Sequence, residues 1–516
     1  MARSFLLGLV YAAVFALTVR AFGLTESGNN YVVDTSGGLV FTVDKTSGDI
    51  TSMKFNGIEA QDSSKHSHIA SGIGASCSWT RTGHDDNYIK ITCTTSGIVQ
   101  YYVAKYNDPS IHMATYTSSE PSVGELRFIA RLKKSALPNG YAVSEMEGGS
   151  RAGGGPMVPQ TLSCIVHGVT GSNIGAFMII PGTGYEGSSG GPFFRDINNQ
   201  GATQQELYFY MNSGHTQTES YRMGLHGPYA LTFTTGSTPS GDLDTSFWEQ
   251  LGDVQGLVTQ AQRGRVTGKA SGYASGQAEY IVVGFANSDA QYWVRARSSD
   301  GRFTSPYMKP GTYTMTLYEV ELAVASQSVT VSAGGLATSN IASTIARPST
   351  IWQIGEYDGT PRGFLNADMI ETMHPSDNRM HDWIRDYTVS TNNIYYFPMA
   401  LFKDVGATTI RFSLQSGQGG ARTLEIATTL AFAGGRPTVQ VNDWSGKAPS
   451  APNQPDSRGV TRGTWRGNNI LYSYAIPDGV LHTGNTQNTI TINVISGSSG
   501  SQFLSPNFVF DMVRLY

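Results

Sequence analysis

Apolar and polar residues alternate over short stretches along most of the chain, and clusters of Gly, Asn, Asp and Ser separate those stretches. Successive side chains of an extended strand point to opposite faces, so a period of two predicts half-buried β-strands. Residues 38–43 (GLVFTV), 98–103 (IVQYYV) and 175–180 (GAFMII) show the pattern in the first half. A helix is expected only at 244–251 (DTSFWEQL), where it would close the first domain.

Grouping these stretches gives an all-β chain in three parts. Residues 22–260 hold many strands with no helical crossover, which predicts a large β-sandwich. Residues 261–341 carry strands at 279–285, 291–296, 312–318 and 328–331, and a strand-dense segment of this size predicts a seven-stranded immunoglobulin-like sandwich. Residues 342–516 end in the alternating run NFVFDMVRLY, which suits a jelly roll. Trp352, Trp383, Trp444 and Trp465 in this last part are candidates either for stacking on sugars or for filling the core. Residues 1–21 differ: Arg3 precedes an apolar run at 5–19 that is shorter than the ~20 residues a membrane span needs. With small residues at its end, the run reads as a cleaved secretory signal, so the mature chain is expected outside the cell.

Composition supports this picture. Sixty glycines, 26 tyrosines and 22 phenylalanines with only 14% charged residues fit sheets and turns rather than helical bundles. A net charge of −4 gives no support to a nucleic-acid partner. No membrane association is expected of the mature chain, and it is expected to be a monomer. Cys77 and Cys93 flank a hairpin predicted to turn at residues 84–86, so a disulfide between them is expected rather than a metal site; Cys164 is left odd. No metal-ligand spacing occurs, and no cofactor is expected.

Candidate chemistry is densest between residues 185 and 230, which hold His215, His226, Arg195, Arg222 and five tyrosines. The run 206–211 (ELYFYM) reads as a strand that puts Tyr208 and Tyr210 on one face, with His215 the first titratable group after its turn. Upstream, 124–132 (GELRFIARL) reads as a strand with Arg127 and Arg131 sharing a face, either as a fork for carboxylates or as paired surface charges. Glu186, Asp196 and Glu219 allow a different reading, a hydrolase built on two carboxylates.

The runs GGPFFRDIN, LYFYMNSGHTQTE and YRMGLHGPYA resemble the core of fungal rhamnogalacturonan lyases, polysaccharide lyase family four, and the likeness extends from about residue 22 to the C-terminus. The resemblance implies a fibronectin-type-III-like middle domain, a carbohydrate-binding-module-like C-terminal domain, and β-elimination at galacturonate in the rhamnogalacturonan I backbone of pectin. It implies that His215 is the proton donor, that Arg127 and Arg131 line the galacturonate cleft, and that Tyr208 and Tyr210 stand beside the donor. His226 and Arg222 are then expected to hold the site together.

One element departs from the family. The family carries its base lysine in a Ser-Lys-Phe-Tyr segment between the arginine and histidine strands. This chain has no lysine between Lys134 and Lys269, and Glu147–Gln160 is rich in glycine and proline instead. A mispredicted intron or frame is the favoured explanation, because the motifs on both sides are intact. A binding relative without catalysis and a substitute base are the other two; Arg151 is a poor substitute, since arginine holds its proton.

Overall fold

The computed structural model describes residues 22–516 except 71, 122–123, 141–149, 155–165, 202, 216–218, 372, 381 and 456–457, and for 150–154 it describes the backbone alone. The signal-like segment, Cys164 and most of the segment that replaces the lysine run lie outside the described residues. The regular structure among the described residues is nearly all strand, arranged in seven sheets. No helix among the described residues is long and apolar enough to cross a membrane.

The first part holds three sheets rather than the two of a simple sandwich. A five-stranded meander occupies Gly23–Glu59. A seven-stranded antiparallel sheet contains Ser76–Thr82, Tyr88–Thr94, Ile98–Lys105, Ser110–Thr117 and Gly224–Thr234 among its strands. The third sheet builds the candidate site. Its strands are β1 (His68–Ile69), β2 (Glu125–Leu132), β3 (Ser150–Gly154), β4 (Phe194–Gly201) and β5 (Gln205–Ser213), in the order β3-β4-β5-β2-β1. Strict alternation explains why one face of this sheet is core. Leu126, Phe128, Ala130, Leu207, Phe209 and Met211 are all at most 1% exposed. The Phe209 ring meets Tyr229 of the seven-stranded sheet edge-on at 4.8 Å between centroids. Burying side chains of this size stabilises by roughly 1.5–3 kcal/mol each.

Cys77 and Cys93 sit directly opposite each other on the hairpin and form the expected disulfide. The expected helix at 244–251 is a 3-10 turn over Ser246–Gln250 that buries Phe247 and Trp248 against the seven-stranded sheet. Five residues give a helix too little length to pay its nucleation cost, so packing of the two rings holds the turn.

The middle part is a two-sheet sandwich with its own core. It has eight strands, not seven: the eighth is the two-residue Ile341–Ala342, whose pairing with Arg265–Ser271 leaves no mark in so short a hydrophobic pattern. The C-terminal part packs two five-stranded sheets around a third core. Trp352 and Trp383 are buried in that core, whereas Trp444 and Trp465 are half-buried at its edge.

Buried ion pairs tie the parts together. Glu186 of the first accepts two bonds from Arg263 (2.6 and 3.0 Å), one from Tyr292 (2.6 Å), and a close approach from Lys309 (3.2 Å). Burial works to raise the Glu186 pKa, but the bond from Arg263 and the charge of Lys309 outweigh it and hold the carboxyl below its ordinary value. Arg466 of the C-terminal part donates twice to Glu321 of the middle part, both at 2.8 Å.

Candidate active site

The polar face of the β2–β5 pair brings the predicted residues together. Arg127 stands opposite Tyr210, Ile129 opposite Tyr208, and Arg131 opposite Glu206. A bulge between Leu126 and Arg127 sets this register. The phenol rings of Tyr208 and Tyr210 stack at 5.3 Å, and the Arg127 guanidinium lies 5.6 Å from the Tyr210 centroid. Tyr208 donates to Gln200 Oε1 at 2.7 Å and also to Glu206. Burial first, then the Glu206 charge, raises the Tyr208 pKa; burial and then Asp196 do the same for Tyr210. Both phenols therefore stay protonated.

Each arginine has an acid beside it: Glu125 pairs with Arg127, and Glu206 with Arg131. The arginines are not simple surface pairs, because their side chains are only 17% and 12% exposed. Nε of Arg127 and Nε of Arg131 are buried with no acceptor among the described residues, while each guanidinium as a whole stays partly accessible.

His215 joins the group through Glu125. Its Nε2 lies 3.4 Å from Glu125 Oε1, so one carboxylate touches both the imidazole and Arg127. Its backbone N–H donates to Ser213 Oγ (3.2 Å), and Ser213 in turn donates to Asp196 (2.5 Å). The ring is 29% exposed, which lets it meet a ligand.

Three contributors were not singled out from sequence. Glu125 is two residues from Arg127 on one strand, a spacing that shares a face and is the available signal. His68 pairs with Ile129 across β1 and β2, which puts its ring on the arginine side of the sheet. Its Nδ1 bonds the His66 carbonyl at 2.9 Å, so the proton sits there and Nε2 keeps its lone pair. Burial, then the charge of Arg131, pushes His68 down to about 4, so it adds no third positive charge at neutral pH. Arg462 comes from the C-terminal part: the 3-10 turn Gly459–Arg462 packs against β3, and the Arg462 charge acts on the Tyr210 phenol.

Other candidates have structural employment. Arg222 is buried, grips both oxygens of Glu219 (2.8 and 2.7 Å), and donates to the carbonyls of Ser188 and Asn287. His226 is fully buried, and burial pushes it down to about 3. Glu186, Glu219 and Asp196 are thus bound to Arg263, Arg222 and Ser213 respectively, so they do not form a free carboxylate pair for hydrolysis.

Comparison with known proteins bears on the family. Residues 22–256 match the family model described as rhamnogalacturonan lyase B, N-terminal. Residues 262–339 and 350–515 match those of polysaccharide lyase family 4, domain II and domain III. The chain is 50% identical over 517 residues to rhamnogalacturonate lyase A of Emericella nidulans, covering 96% of each chain. It is 49% identical over 518 residues to rhamnogalacturonate lyase A of Aspergillus aculeatus, again covering 96% of each. A fold built from these three matched parts in this order, with near-complete coverage of both relatives, places the chain in polysaccharide lyase family 4, the rhamnogalacturonate lyases.

Proposed function

We propose that this protein is a secreted pectin-degrading enzyme that cleaves the rhamnose–galacturonate bond of rhamnogalacturonan I by β-elimination. The observation that carries the reading is the face itself: two partly accessible arginines and two stacked phenols on one strand pair, with a half-buried imidazole in the turn that follows it. In this reaction the C5 proton of galacturonate leaves, the C4–O4 bond breaks, a C4=C5 double bond forms, and the departing oxygen takes a proton.

Arg127 and Arg131 bind the galacturonate carboxylate and stabilise the enolate-like charge that develops on it, with Arg462 closing the cleft from the C-terminal part. His215, in its protonated form held by Glu125, gives its proton to the departing oxygen. Tyr210, half-buried beside Arg127, offers a face for a sugar ring, and the buried Tyr208 stacked on it holds that ring in place. The C5 base belongs to the segment where the family carries its lysine and this chain has none. That absence favours one second reading, a relative that binds the polymer without cleaving it.

Incubation of residues 22–516 with saponified rhamnogalacturonan I, following the ultraviolet absorbance of the unsaturated uronate end, separates the readings. A rise on rhamnogalacturonan and none on homogalacturonan is the expected result. Binding without a rise supports the second reading, and neither binding nor rise refutes both.

A further inference from the structure

This chain has no lysine between Lys134 and Lys269, and if the cleft carries out the elimination proposed above, the C5 proton needs another acceptor. Such a group must hold an uncommitted lone pair, and most of the face does not. Arg127 and Arg131 are cations, and arginine holds its proton. Burial above all keeps Tyr208 and Tyr210 protonated. Glu125 is engaged by Arg127 and His215, and Glu206 by Arg131 and Tyr208.

His68 differs from all of these. Its Nδ1–H is committed to the His66 carbonyl at 2.9 Å, and Nε2 has no partner among the described residues. Residues directly opposite on neighbouring strands share a face of the sheet. His68 of the edge strand β1 is opposite Ile129, and Ile129 is opposite Tyr208, so these three form one row across three strands. Arg127 and Arg131 stand two positions to either side of Ile129, which makes them the diagonal neighbours of His68, roughly 7–8 Å away. A carboxylate held between the two guanidiniums lies over Ile129, and C5 is bonded directly to it. His68 borders that place on one side and Tyr208 on the other, two strand spacings or roughly 10 Å apart. His215 approaches from elsewhere, beyond Glu125 in the turn after β5. In galacturonate the C5 hydrogen and O4 stand on opposite faces of the ring, so base and acid have to come from two directions.

We propose that His68 Nε2 is the base that takes the C5 proton in this chain. The C5–H bond breaks and its proton passes to Nε2, giving an imidazolium. The electron pair left behind forms the C4=C5 double bond, the C4–O4 bond breaks, and His215 protonates the departing oxygen. Exchange with water returns both rings to their starting states. The surroundings suit the two roles: His68 sits near two cations, His215 against a carboxylate. Burial first, then the charge of Arg131, pushes His68 down to about 4, so the ring is neutral in weakly acidic and neutral solution. The charged groups that act on it are Arg131 and Arg127 from β2 and His66 from its own segment, and His66 in turn faces Asp49. A bound carboxylate offsets the arginine charges, so the imidazole gains basicity when the substrate arrives.

The test compares residues 22–516 with the variant His68→Asn on saponified rhamnogalacturonan I. Asparagine keeps a side-chain N–H for the His66 carbonyl and has no basic nitrogen. The initial rate of the ultraviolet rise falls at least about 100-fold, while polymer affinity measured by calorimetry stays within about two-fold. In the unchanged chain kcat/KM holds from neutral pH to about 5 and falls near 4, as the base takes up a proton. A variant rate within about three-fold, a joint loss of rate and affinity, or an acid limb above about 6 in the unchanged chain overturns the assignment. A thermal melt checks the fold of the variant, and if it is unfolded the acid limb decides. An unchanged chain that binds the polymer and forms no unsaturated end refutes the elimination itself; product formation that survives His68→Asn refutes only the role of His68.

Discussion

Arginine–carboxylate pairs occur both at the joints between the three parts and in the cleft, and they are finished to different degrees. At the joints the pairs are closed. Glu186 uses both oxygens on Arg263 and takes Tyr292 and Lys309 as well, and Arg222 spends Nε and both terminal nitrogens. In the cleft the pairs are open: Arg127 and Arg131 each touch one acid, keep a buried Nε without an acceptor, and remain partly accessible. The same residue types close the joints where every donor is spent and, under the proposed function, serve binding where the pair is left less complete.

The sharpest way to break this contrast is Glu186→Ala, which leaves Arg263 and Lys309 as buried cations without a partner. The expected cost is about 3–5 kcal/mol of stability, read as a large fall in Tm, because breaking a buried pair strands its partner. Arg127→Ala should do the opposite: little change in Tm, with kcat/KM or polymer affinity down about 100-fold or more. His215→Ala should match it in rate and leave affinity nearly intact, since a proton donor acts in the transition state.

A pH titration sharpens the contrast further. His226 has its folded pKa depressed to about 3, and an unfolded histidine titrates near 6.5, so the unfolded chain binds the extra proton across that window. Stability is therefore full above about 6.5 and falls as the pH is lowered, by about 1.4 kcal/mol per unit for this one group. Denaturant midpoints between pH 7 and 4 should show the slope, and His226→Gln should lessen it. The smallest effect is expected from Tyr208→Phe. Losing the bonds to Gln200 and Glu206 should cost about 0.5–1.5 kcal/mol, measured by denaturation.

Much of the fold was legible because alternation is a local signal. The Tyr208–Tyr210 face and the Arg127–Arg131 face follow from residues two and four positions apart, and the Cys77–Cys93 hairpin from a separation of 16. The site was legible as two separate strands, but not their register: the pairing of Arg127 with Tyr210 depends on a bulge that no residue type announces. Glu125 was overlooked beside a more conspicuous arginine. His68 and Arg462 enter from about 60 and 330 residues away, by sheet pairing and by packing of the C-terminal part, and neither leaves a periodic trace. The tryptophans could not be sorted either, since core filling and sugar stacking ask for the same residue.

The closed joints also bear on how such chains exchange parts in evolution. A recombination point near residue 261 would bring in Arg263 and Lys309 from one parent and leave Glu186 from the other; a point near 342 would separate Glu321 from Arg466. A hybrid survives only if both parents carry the matched charges, so these positions behave as a lock and key between inherited segments. Chimeras among relatives should be screened on those pairs before any feature of the cleft is considered.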